Sequence, residues 1–117
     1  VWFELARTSL FRDFGLTYKQ VEELGLKLPV VEAHLQYKDQ VRYDDMVEVR
    51  ATVTEVKRAS VRIDYEVQVQ GSPKVATTGY TWHVLVNSDF QVTSFPSWMR
   101  RMLEGDVEWR DDLQDDG

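Results

Sequence analysis

An α+β domain, in which a curved antiparallel sheet lies against one long helix, follows from three features of the chain. Apolar side chains recur at helical spacing up to Gly25, the period switches to two after Pro29, and the alternating segments follow one another with turn residues between them. That order is most easily closed by hairpins. The dry face of the sheet is the only large surface available to the helix's apolar stripe, so the sheet is expected to curl round it.

The opening "VWFELARTSLFRDFGL" sets Phe3, Ala6, Leu10 and Phe14 at three- and four-residue steps, which predicts a helix ended by Gly15. No Ser, Thr, Asp or Asn precedes Trp2 as a cap, so this helix is expected to start upstream of Val1. Thr17 and Gln20 make a capping box for a shorter helix through Val21 and Leu24. Ala33, Leu35 and Tyr37 then share one strand face, and Glu32, His34 and Gln36 the other. Val47, Val49, Ala51 and Val53 mark a second strand; Val61, Ile63, Tyr65, Val67 and Val69 mark a third. Each has one dry face. "QGSPK" turns the chain into a fourth strand from Lys74 to about Val86, with Tyr80, Trp82, Val84 and Val86 on one face. "NSD" leads to a short fifth strand around Phe90 to Phe95, and Pro96 opens a closing helical turn carrying Trp98, Met102 and Leu103. The strand run leaves edges that a partner subunit can cover.

The 117 residues, 43% hydrophobic, suit one domain with a real core. No stretch approaches the roughly 20 apolar residues of a membrane span. With no cysteine there is no disulfide, thiol nucleophile or thiolate metal site, which fits a cytoplasmic protein. Seven acidic residues against Arg110 alone make Glu104 to Gly117 an acidic tail, expected to be solvated and largely disordered. The body, Val1 to Leu103, balances at 13 acidic and 13 basic residues, which argues against nucleic acid as a partner.

The strings "FELARTSLFRDFGL", "LPVVEAHLQYKDQVRYDDMVEV" and "VKRASVRIDYEV" resemble, in this order and spacing, the 4-hydroxybenzoyl-CoA thioesterase family of the hot-dog fold. They resemble especially its acyl-CoA thioesterase branch associated with Tol-Pal operons. The resemblance covers residues 1–103 and leaves 104–117 as the tail. It implies a hot-dog fold, a central α-helix wrapped by a five-stranded curved antiparallel β-sheet, assembled as a homo-oligomer, dimer or tetramer. It further implies hydrolysis of an acyl- or aroyl-CoA thioester between two subunits. The family's principal Asp lies in a segment ahead of the central helix, which corresponds to residues upstream of Val1.

Thioester hydrolysis needs a carboxylate to attack the carbonyl or activate water, and oriented amides to hold the oxyanion. A helix N-terminus supplies such amides, and no metal or other cofactor is called for. Within the chain Glu4 is the carboxylate near the helix start, a candidate for a direct role or for a salt bridge to a residue such as Arg7. The resemblance points to Lys57, Arg58 and Ser60 of "KRAS", with Arg62, for the coenzyme A phosphates; adjacent cations and turn amides suit a pyrophosphate. It also points to Leu28, Pro29 and Val30 along the pantetheine arm and acyl channel, although core packing explains these three nearly as well. Tyr43, Asp44 and Asp45 fall in a connecting turn, where Asp usually bonds local backbone. His34 and His83 lie on different strands without a third metal ligand nearby, and no serine sits in a nucleophile elbow. Two other readings stay open: a non-catalytic acyl-CoA-binding module of the same fold, and a cone-shaped nuclear-transport-factor-like domain, which the periodicity allows and the three strings disfavour.

Overall fold

A computed structural model of the chain describes residues 2–13, 15, 17–42, 45–105 and 108–114, with backbone alone for residues 2, 18 and 108–114. Expectations for Val1, Phe14, Tyr43 and Asp44, and for 106, 107 and 115–117 of the tail, lie outside the described residues. Helix α1 (Trp2–Asp13) buries Ala6, Leu10 and Phe11, and Gly15 follows at φ +84° as the expected left-handed stop. Helix α2 (Tyr18–Glu23) carries both bonds of the predicted capping box, between Thr17 and Gln20.

The chain then forms β1 (Leu26–Lys27), β2 (Val30–Tyr37), β3 (Met46–Val56), β4 (Ser60–Val69), β5 (Val75–Val84), β6 (Val86–Asn87), α3 (Ser97–Glu104) and β7 (Glu108–Gln114). The main sheet has the order β2-β5-β4-β3-β7, antiparallel throughout, while β1 and β6 form a separate pair. Alternation in β3 and β4 is read correctly from the sequence: Val47, Val49 and Ala51 point inward with Val61, Ile63, Tyr65 and Val67. These meet Ala6, Leu10 and Phe11 of α1, and Phe95, Met99 and Leu103 near the end, in one core. The result is a mixed α+β domain with an antiparallel sheet.

Four expectations need correction. The first strand has no dry face in the single chain, because Leu35 and Tyr37 of β2 are 45% and 74% exposed. Helix α1 packs mainly against β3 and β7, at the opposite edge of the sheet from β2. The Phe3 ring stacks on Tyr65, with centroids 4.2 Å apart, and comes so close to Gly79 that a Cβ there would lie 2.7 Å from Phe3 Cε2. Second, no strand runs from Phe90 to Phe95; one bridge joins Val86 to Val92. Asn87 Oδ1 accepts from the amides of Asp89 and Gln91, and Phe90 adopts φ +59°, so the loop folds on its own side chain.

Third, Pro96 is the N-cap rather than the first helical residue, and α3 begins at Ser97 and buries Met99 and Leu103. Fourth, residues 108–114 of the acidic tail pair along β3 from Met46 to Thr52. The acidity of "EWRDDLQ" hides an alternation in which Trp109 and Leu113 register with the inward Ala51 and Val47. An unpaired β3 edge is a ready template for such a segment. Among the described residues no helix is long and apolar enough to cross a membrane.

Candidate active site

The turn between β3 and β4 closes with Lys57 N donating to Ser60 O at 2.8 Å. Its other carbonyls are tied off as well. Arg100 of α3 donates to Lys57 O at 3.0 Å and, more weakly, to Val56 O at 3.4 Å. The Phe95 amide donates to Arg58 O at 2.9 Å and the Leu85 amide to Ala59 O at 2.8 Å. The carbonyls from Val56 to Ser60 therefore each accept a bond, while the Lys57 and Arg58 side chains remain exposed. An approaching anion meets cations there with the carbonyl oxygens already engaged.

The four basic or hydroxyl candidates are not equivalent. Lys57 extends over the Trp82 ring, 4.8 Å from its centroid, with Glu55 at 4.0 Å. Arg58 donates to Ser94 Oγ at 2.6 Å. Ser60 closes the turn and registers with Val84. Arg62 is forked onto Asp64, with Nε to Oδ1 at 2.6 Å, and its guanidinium lies 4.0 Å from the Tyr80 centroid. The Asp64 carboxylate raises the Arg62 pKa further and neutralises much of its charge, so Arg62 is set apart from the turn cations.

Leu28, Pro29 and Val30 reach the same end of the sheet. Val30 registers with His83, which registers with Val61. The Val84 amide donates to Pro29 O at 3.2 Å. Leu28 is half-buried against the core, whereas Pro29 and Val30 are exposed. The hairpin and the Leu28–Val30 segment are thus neighbours across β5. Glu4 is exposed in the first turn of α1, next to Phe3 over Gly79. Gly79 precedes His83 by four residues on β5, which places that helix turn about 13 Å down the sheet at ~3.3 Å per residue. Arg7 turns inward and donates to Tyr65 OH at 3.3 Å.

Beneath this end lies a buried polar row. Tyr65 OH and Thr81 Oγ1 are 2.9 Å apart, Thr81 Oγ1 and His83 Nε2 2.8 Å, and His83 Nδ1 and Leu28 O 3.2 Å. His83 is 1% exposed, and burial, with a smaller push from the Arg7 charge, lowers its pKa to about 4 against the pull of Leu28 O. Asp45 accepts from the Arg42 amide at 2.6 Å, the local backbone bond expected of a turn Asp. Among the described residues no group of three His, Cys, Asp or Glu is placed to hold a metal. Sequence reasoning missed Arg100, whose role depends on a contact more than forty residues distant and leaves no local pattern.

A model of the thioesterase-like superfamily matches residues 1–103. The chain belongs to the thioesterase-like superfamily. Its relatives include YneP of Bacillus subtilis, named an acyl-CoA thioesterase, 34% identical over 45% of this chain and 38% of that protein. The chain spans half or less of the length of the curated relatives it matches. Among solved structures, protein AQ1494 of Aquifex aeolicus superposes with a TM-score of 0.80 at 26% identity, covering 88% of this chain and 79% of that one. The DHNA-CoA thioesterase of Staphylococcus aureus superposes at 0.76 with 29% identity, covering 84% and 68%. The antiparallel sheet shared with these solved structures is the setting for the hairpin and the Leu28–Val30 segment.

Proposed function

We propose that this chain forms the substrate-holding part of an enzyme that hydrolyses an acyl- or aroyl-coenzyme A thioester to the free acid and coenzyme A. The observation that carries the reading is the carbonyl-sealed basic turn at Lys57–Ser60 beside the Leu28–Val30 segment. Lys57 and Arg58 hold the phosphates, Ser60 adds a hydroxyl, and Arg62, engaged by Asp64, contributes less. The pantetheine arm passes Leu28, Pro29 and Val30 toward the N-terminal turn of α1, a path on the scale set by the offset between Gly79 and His83.

At the reacting end a carboxylate attacks the thioester carbonyl or activates water. Water either adds directly to the carbonyl or hydrolyses the mixed anhydride left by carboxylate attack; the C–S bond breaks, and the departing thiolate takes the proton that water gives up. N-terminal amides of α1 are suited to hold the oxyanion. Glu4 is the candidate within the described residues, while the family resemblance assigns the principal Asp to residues ahead of Val1 in the full-length protein. A central helix wrapped by the sheet, and membership of the Tol-Pal-associated branch, belong to this same proposal and rest on the "FELAR", "YDD" and "KRAS" strings. A cytoplasmic location is part of the same proposal. A homo-oligomer, dimer or tetramer, is supported by the β2 edge, where Val30, Val31, Leu35 and Tyr37 are 44%, 60%, 45% and 74% exposed.

The test is hydrolysis of short, long and aromatic acyl-CoAs by the full-length protein, followed with a thiol-reactive dye. The double variant Lys57→Ala/Arg58→Ala should raise KM roughly tenfold and leave kcat within about twofold, since phosphate contacts are remote from the reacting carbon. An unchanged KM would remove the phosphate assignment. Tight acyl-CoA binding by the unaltered protein with no turnover would favour the non-catalytic module.

A further inference from the structure

The buried row below the hairpin has a direction. Arg7 can only donate, and Leu28 O can only accept. Between them stand three groups that donate and accept: the Tyr65 hydroxyl, the Thr81 hydroxyl and the His83 imidazole, which are 1%, 4% and 1% exposed. Leu28 O requires a proton on His83 Nδ1, which makes Nε2 of the neutral ring an acceptor. Thr81 must therefore give its proton to Nε2 and accept from Tyr65, whose oxygen in turn accepts from Arg7. One proton arrangement satisfies all four bonds, and it joins α1 to the residue before Pro29 through β4 and β5.

That terminus matters because Leu28 and Pro29 lie outside the strands, between β1 and β2. The described bonds that fix their carbonyls are His83 Nδ1–H to Leu28 O and the Val84 amide to Pro29 O. An apolar pair in place of Thr81 and His83 would fill the space but supply no directional hold on the Leu28 carbonyl. We propose that Thr81 and His83 are positioning residues for the pantetheine channel: the directed chain from Arg7 fixes the Leu28–Val30 wall relative to α1 and so sets the span between the phosphate end and the reacting end. The proposal rests on reading Leu28, Pro29 and Val30 as channel wall.

Burial and the Arg7 charge hold the His83 pKa near 4, so the ring is neutral around pH 7, as the chain requires. An imidazolium would donate from both nitrogens, so Nε2 could no longer accept the Thr81 proton and the direction of the row would be lost. Tyr65 and Arg7 are the titratable and charged groups facing the ring along this row, from β4 and α1 respectively.

The test has a structural arm and a kinetic arm, both on the full-length protein. Long-range 15N–1H correlation should show His83 as the Nδ1–H tautomer at pH 7; the Nε2–H tautomer or an imidazolium overturns the chain. Thr81→Val should speed amide exchange at Val84 by about tenfold and leave Val67 unchanged, with Thr81→Ser close to the unaltered protein. Equal exchange at Val84 in all three overturns the hold on the segment. In the kinetic arm, Thr81→Val and His83→Phe should raise KM roughly fivefold for short and long acyl-CoAs alike, with a smaller effect on kcat. Thr81→Ser and His83→Gln, which can donate and accept at the same places, should restore the original KM. An unaltered KM in Thr81→Val overturns the positioning role even if the tautomer is as expected. Failure of the unaltered protein to hydrolyse any acyl-CoA would instead remove the thioesterase reading, and the hold on Leu28 would then be decided by the tautomer and exchange results.

Discussion

Strands β4 and β5 are neighbours in register, yet they bury opposite kinds of side chain. From β4, Val61, Ile63, Tyr65 and Val67 point into the core; from β5 the corresponding positions are His83, Thr81, Gly79 and Thr77. The aromatic residues of β5, Tyr80 and Trp82, share the outer face with Arg62 and Lys57. An apolar inner face is stabilised by removal from water, at about 25 cal/mol per Å². A polar inner face gains little from transfer and survives only if its hydrogen bonds are met. β4 thus depends on filled volume, and β5 on partners and on room for α1.

Filled volume should show the largest loss. Ile63 is fully buried between β3 and β5, and Ile63→Ala should lower the unfolding free energy by about 2–5 kcal/mol. Urea denaturation measures it. A loss below about 1 kcal/mol would mean that β4 faces a space able to collapse, and the contrast with β5 would weaken.

The polar strand should be sensitive to pH instead. His83 titrates near 4 when folded and near its ordinary 6.5 when unfolded, so between these values the unfolded chain binds the extra proton. Stability from this group is complete above about pH 6.5, falls as pH drops and levels off below about 4, a span of about 3 kcal/mol. Subtracting the profile of His83→Gln from that of the unaltered protein isolates the group from the carboxylates. A difference that is flat from pH 7 to 4 would show that the ring is not held neutral.

Legibility in the sequence follows the same divide. Alternating Val, Ile and Tyr announced β3 and β4, and Thr17 with Gln20 announced the start of α2, because each signal lies within one element. In β5 the face expected to carry Tyr80 and Trp82 is the one where their rings meet Lys57 and Arg62, while the polar Thr77, Thr81 and His83 are buried, which alternation alone does not announce. "EWRDDLQ" concealed a strand because its charge outweighed its period. Of the candidate site, the family strings brought the basic turn and Leu28–Val30 to attention. The clamp from Arg100 and the row from Arg7 to Leu28 join residues distant in the chain, and a single sequence carries no trace of such pairings.

Space for α1 is the next contrast to break. A methyl group on Gly79 would sit 2.5 Å from His34 O and 2.7 Å from Phe3 Cε2. The ring can retreat, but the β2 backbone cannot do so without loosening its register with β5. Gly79→Ala should cost about 2 kcal/mol, and combining it with Phe3→Leu should recover part of that, as a double-mutant cycle in urea would reveal. Strict additivity would mean that Phe3 does not press on this position.

The smallest effect should have the opposite sign. Thr77 is 2% exposed, and its Oγ1 has no hydrogen-bond partner among the described residues. Its hydroxyl therefore carries a desolvation cost without the bond that offsets it at Thr81. Thr77→Val keeps the β-branched shape and should raise stability by about 1 kcal/mol, whereas Thr81→Val should lower it by a similar amount because Tyr65 and His83 lose a shared partner. The two substitutions are chemically identical and lie four residues apart on the same strand face, so a comparison of their thermal midpoints separates the worth of the network from the intrinsic cost of a buried threonine. Equal losses at both positions would mean that Thr77 also has a partner, and that the polar face of β5 is satisfied along its whole length rather than only from Thr81 to Leu28.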